Sequence, residues 1–143
     1  MAIDVPQLLK MTPAQLDALF GSSPAGDIPD GDSQGTAIVA PGTVFSPEIA
    51  DVVNHLAWQG KVFDAKGGVL VNKLLIFGIK AVIASVYKGP SWVDGKECIV
   101  LDYSKTSLLA HRIRDEIRNI APRLYMGPVF WDKTRLIHFA LQF

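Results

Sequence analysis

The polar side chains of this sequence that could do chemistry are those of acid–base work. A histidine paired with a carboxylate is oriented and has its pKa raised, and a tyrosine hydroxyl nearby can donate to a developing oxyanion. His138 with Asp102 is the first candidate pair, and Tyr87 or Tyr125 is the candidate donor. Asp102, His138 and Tyr87 are therefore the expected catalytic set. Asn72, Ser85, Tyr103, Tyr125, Trp58, Trp92 and Arg112 are the expected ligand contacts. A buried polar group without a partner costs roughly 2–7 kcal/mol, so such groups inside a fold satisfy one another, hold water or meet a ligand. Each of them alone is more often an ordinary structural or surface group.

These assignments depend on which way each strand faces, because alternate side chains of a strand point to opposite sides. In "GVLVNKLLIFG" Lys73 marks the outer face, which sends Asn72 inward. In "IKAVIASVYK" Lys80 and Lys88 mark the outer face, which sends Ser85 and Tyr87 inward. In the last strand Leu136, His138, Ala140 and Gln142 form the smaller and more polar set, as a cavity lining would. In "KECIVLDY" Lys96 and Glu97 mark opposite faces equally. Either Asp102 or Tyr103 points inward there, never both.

The elements that must hold these strands follow from local signals. Asp4 with Gln7, and Thr12-Pro13-Ala14-Gln15, are helix starts, with Leu16, Leu19 and Phe20 on one face and Gly21 as the stop. Residues 22–35, "SSPAGDIPDGDSQG", read as a long loop. Their acids Asp27, Asp30 and Asp32 lack the alternation and distal Glu of a calcium loop. "GTAIVAPG" reads as a brief strand. Ser46-Pro47-Glu48 opens a third helix carrying Ile49, Val52, Val53 and Leu56. From Lys61 the period drops to 2, and Lys61–Asp64, Gly68–Phe77, Ile79–Lys88 and Lys96–Tyr103 become strands of an antiparallel meander. Leu109, Ile113, Ile117 and Ile120 then suggest a helix, whose "HRIRDEIR" would be a salt-bridged surface face, before a final hairpin turned at Asp132-Lys133-Thr134.

The reading is an α+β protein: a strongly curved antiparallel sheet or β-barrel of six to seven strands, with N-terminal helices and one helix before the final hairpin. Closure removes the bare edges such a sheet would leave. An open cone wrapping a long helix is the alternative. The 143 residues make one domain, with 1–35 a helical and loop segment and 36–143 the barrel-like core.

Composition narrows the partners. Fourteen acidic and fourteen basic residues leave no net field for nucleic acid or an anionic membrane. Cys98 alone cannot form an internal disulfide, and its apolar run suits a buried thiol. The N-terminus lacks the pattern of a secretory signal, and the longest apolar runs are interrupted by lysines and Asn72, so a cytoplasmic protein is expected. His55, His111 and His138 are too scattered for a local metal site, and nucleotide and hydrolase motifs are missing, so neither metal nor cofactor is expected.

"AWQGKVF", with Trp58 beside Gly60, and "LDYS", with Asp102 and Tyr103, resemble the calycin or lipocalin pattern. That resemblance implies a barrel that takes up a small, largely apolar molecule. The leading expectation is therefore a small-molecule-binding barrel, transforming its ligand as a cofactor-independent isomerase, cyclase or lyase. The alternatives are a carrier or sensor without turnover, and an interaction module that pairs with itself as a homodimer.

Overall fold

The computed structural model describes residues 3–40, 46–47, 61–72, 82–105 and 111–143. Among the described residues two short helices, α1 (Val5–Leu8) and α2 (Pro13–Ser22), precede eight strands: β1 (Gly31–Ile38), β2 (Lys61–Asp64), β3 (Val69–Asn72), β4 (Val82–Pro90), β5 (Glu97–Asp102), β6 (Ile113–Ala121), β7 (Leu124–Trp131) and β8 (Thr134–Gln142). Each strand pairs antiparallel with the next. β1 also pairs with β8, from Gln34 opposite Gln142 to Ile38 opposite His138, so the sheet closes into an up-and-down barrel.

Both helix starts form reciprocal capping boxes. Asp4 accepts from the Gln7 amide at 2.9 Å while Gln7 accepts from the Asp4 amide, and Thr12 and Gln15 repeat the arrangement. α2 continues through Gly21 to Ser22. β1 starts at Gly31, earlier than the loop reading allows, and Asp32 lies within it opposite Val62. The expected third helix lies outside the described residues beyond Pro47, as does the stretch 73–81.

Residues 113–121 are a strand and not a helix. The spacing of Ile113 and Ile117 fits both periods, since four residues are one helical turn and also two strand repeats. Closure decides for the strand: β6 joins β5 to β7, and without it the barrel would have two open edges. The expected i,i+4 ion pairs give way to Arg114 with Glu116 at 3.0 Å and Arg118 with Asp94 at 2.8 Å. Asp115, Glu116 and Arg118 are buried, so this is no solvated face. The β7–β8 hairpin turns at Asp132-Lys133, as the sequence implies, with Asp132 at φ 53°.

Two cores result. Ala37, Phe63, Leu70, Ala84, Val86, Ile99, Leu101, Ile117, Phe139 and Leu141 line the barrel interior. Leu8, Leu16, Phe20, Ile38, Cys98, Val100, Met126 and Ala140 form a second core where α1 and α2 cover the outer wall. Apolar burial at about 25 cal/mol per Å² therefore acts on both faces of β5, β7 and β8. Cys98 is fully buried, and burial pushes its thiol up to about 12.

Candidate functional site

Among the described residues, the buried charged side chains of the barrel interior are Lys61 and Asp115. Lys61 opens β2 opposite Ser33 on β1, and both are buried. The Ser33 hydroxyl donates to the Lys61 carbonyl at 2.8 Å, which fixes the start of β2. The Lys61 Nζ donates to the Tyr103 hydroxyl at 3.2 Å, and lies 5.9 Å from the ring centres of both Tyr103 and Phe139. Asp115 faces the same interior, on the inward row that places it opposite Leu101 and Val129.

Asp115 is 4% exposed, and its Oδ1 has no hydrogen-bond partner among the described residues. Burial raises its carboxyl to about 6, and the charge of Lys61 opposes that rise. Burial lowers the Lys61 ammonium to about 8, with Asp115 opposing. The two groups thus soften one another's desolvation without compensating it. The arrangement offers a cationic donor, a phenol and an acceptor still to be satisfied, all within an apolar enclosure.

The residues singled out in the sequence are distributed differently. Tyr103 points inward and is completely buried. Asp102 points outward, opposite Ser85 and Arg114. Its carboxylate accepts from the Tyr87 hydroxyl at 2.8 Å and from the Ser104 hydroxyl at 2.6 Å. Burial opposes ionisation of Asp102, but the bonds from Ser104 and Tyr87 outweigh it and hold the carboxyl below its usual range. Burial and the Asp102 bond push the Tyr87 phenol up.

The expected inward course of Ser85 and Tyr87 is therefore reversed: Ala84 and Val86 line the interior, while Tyr87 is 41% exposed. His138 is likewise on the outer wall, and Ile137, Phe139 and Leu141 form the lining instead. The expected His138–Asp102 pair does not form, because β6 and β7 lie between their strands. The carboxylate partner of His138 is Asp17 of α2, at 2.7 Å, and Arg135 meets the same carboxylate. These three border a groove of about 210 Å³ between α2 and the wall.

Tyr125 faces inward, donates to the Asp27 carbonyl at 2.7 Å and packs edge-on against Phe143, closing the barrel end next to Phe63. Trp92 and Arg112 border an outer concavity of about 360 Å³ that also includes Asp102 and Arg114. The Arg114 guanidinium lies 4.2 Å from the centre of the Trp92 ring. Asn72 stands opposite Lys61 in the β2–β3 register, with its side chain outside the described set, and Trp58 lies outside the described residues altogether.

Sequence reasoning missed Lys61, Asp115 and Ser33. Lys61 shares its alternation with Phe63, which was a usable sign, but a lysine ordinarily marks a solvent face. Asp115 was hidden by the helical reading of β6.

No protein-family model and no curated protein matches the chain. A solved crystal structure of a protein from Thermomonospora curvata is similar in fold, with a TM-score of 0.61 at 11% identity, covering 92% of this chain and 87% of that one. At that identity the likeness is one of architecture alone, a closed antiparallel barrel.

Proposed function

We propose that the barrel binds a small, largely apolar molecule carrying one polar end, and that this end meets Lys61, Tyr103 and Asp115. The observation that carries the reading is the buried Asp115 Oδ1, without a hydrogen-bond partner among the described residues. Leaving such an acceptor unsatisfied costs roughly 1–3 kcal/mol or more for a charged group, and a ligand hydroxyl would remove that cost. An eight-stranded barrel has room for side chains or for one small ligand, as lipocalin barrels do.

A second reading, turnover by acid–base chemistry, is favoured by the Lys61 amine at 3.2 Å from a phenol, with the ammonium lowered to about 8 by burial. Lys61 would act as the base and Tyr103 as the donor, in place of the outer-wall His138 and Asp102.

Calorimetry with decanol and decane tests the binding role. Decanol should bind more tightly by roughly tenfold or more, about the 1.4 kcal/mol of one charge-assisted bond. Asp115→Leu should erase that preference while retaining decane. Equal affinities for the two molecules in the unmodified protein would rule out polar-end recognition. Native mass spectrometry of freshly purified protein should show a copurified small molecule.

A further inference from the structure

Two buried cations of the barrel wall differ in what surrounds them. Arg118, on the outer wall, is held by Asp94 and by the carbonyls of Phe20, Lys96 and Glu97. That is a structural clamp, and a guanidinium does not give up its proton. Lys61 projects into the interior against the rings of Tyr103 and Phe139 and the Tyr103 hydroxyl, within reach of the charge of Asp115, whose Oδ1 lacks a hydrogen-bond partner among the described residues. A primary amine differs chemically from a guanidinium in one decisive respect: once neutral it is a nucleophile toward carbonyl carbon.

We propose that Lys61 condenses with an apolar aldehyde or ketone held in the barrel, forming an imine, with Tyr103 and Asp115 moving the protons. This rests on the reading of the interior as a ligand site. In the addition step the Nζ lone pair forms a bond to the carbonyl carbon, and the carbonyl oxygen takes the Tyr103 proton. The nitrogen then passes its surplus proton to Asp115. In the elimination step Asp115 returns that proton to the new hydroxyl, which leaves as water while the nitrogen lone pair makes the C=N bond. The iminium N–H proton restores the Tyr103 phenol. Amine and carbonyl become imine and water, with no oxidant or reductant required. Burial that lowers the ammonium to about 8 supplies far more neutral amine at pH 7 than a surface lysine has. The apolar surroundings, Phe139 and Leu101 among them, suit a hydrocarbon chain on the carbonyl compound.

The full chain incubated with decanal and sodium cyanoborohydride tests this by peptide mapping. Lys61 should acquire the reduced adduct at least roughly tenfold faster than the exposed Lys66, Lys96 and Lys133, since burial favours its neutral amine and the barrel holds the aldehyde against it. Decanol should protect it. Tyr103→Phe should slow the adduct while leaving the affinity for decane, which has no polar end to meet Tyr103, within about threefold, a retained response that a misfolded variant would not give. If the adduct spreads over Lys66, Lys96 and Lys133 as fast as over Lys61 while decanol still binds, imine formation is overturned and the ligand site stands. If decanol does not bind and Lys61 is unmodified, both fail together.

Discussion

The His138 Nε2 on β8 lies 2.7 Å from the Asp17 Oδ1 on α2, and this contact ties the N-terminal helix to the outer wall. Burial lowers the His138 imidazole below its ordinary 6.5, and the Asp17 bond only partly opposes that. Asp17 itself lies below 3.8: burial works against ionisation, but Arg135 and His138 outweigh it. The unfolded chain therefore binds more protons than the native one at both sites, and stability rises with pH through each window. The His138 contribution is complete above 6.5 and declines on acidification below it, and the Asp17 contribution declines below 3.8. Thermal unfolding followed from pH 7.5 to pH 5 should show a falling Tm that flattens in His138→Gln. A Tm that rises over that range in the unmodified protein would contradict this account.

Arg118 gives a sharper stability test. Its guanidinium is 1% exposed, makes two 2.8 Å bonds to Asp94 and lies 4.1 Å from the Phe20 ring centre. It joins β6, α2 and the turn at 91–96. Arg118→Met keeps much of the volume but strands the carbonyls of Phe20 and Glu97, so urea unfolding should show a loss of roughly 3 kcal/mol. A loss below about 0.5 kcal/mol would mean that these elements are held by apolar contacts alone.

The sequence makes both helix caps, the final hairpin and the strand character of β2 to β5 legible, because each rests on local chemistry. Facing was harder to read, since β5 and β8 are buried on both sides: α2 covers Cys98, Val100 and Ala140 from outside while Ile99, Leu101 and Phe139 line the interior. Alternation in apolar content then carries no direction, which is why Asp102 and Tyr103 could not be separated. Lys88 misdirected β4 for another reason. β3 pairs with β4 only as far as Ser85, so Lys88 lies past the closed wall and reaches solvent despite sharing its alternation with Val86. The interior site escaped because its members are long-range partners: Lys61 and Tyr103 are 42 residues apart.

Gly127 on β7 is a close-approach position. A Cβ placed there would stand 1.7 Å from the Glu116 carbonyl oxygen and 2.6 Å from its carbon, backbone atoms that cannot swing away. Gly127→Ala should therefore force β6 and β7 apart, with a cost of roughly 2–4 kcal/mol in urea unfolding. Chemical shifts of β6 amides should move together in the variant. Wild-type stability in this variant would show that the β6–β7 seam is not tightly set.

The buried Lys61 and Asp115 make opposite predictions for stability and for function. Asp115 is raised from 3.8 to about 6, so its favourable contribution is complete below 3.8 and is lost as pH rises through about 6. Lys61 is lowered from 10.5 to about 8, so its favourable contribution is complete above 10.5 and is lost as pH falls through about 8. Between about pH 6 and 8 both groups are mostly charged in the native state, and their burial weighs most heavily against folding. Replacing both by apolar residues of similar size removes that burden, whereas removing one strands the other. Lys61→Met with Asp115→Leu should thus be at least as stable as the unmodified protein at pH 7, while Lys61→Met alone should be less stable, by roughly 2 kcal/mol or more. The double variant should also lose its preference for decanol over decane, which separates a site kept for ligand recognition from one kept for folding. A double variant less stable than either single one would mean that the two charges hold the barrel together.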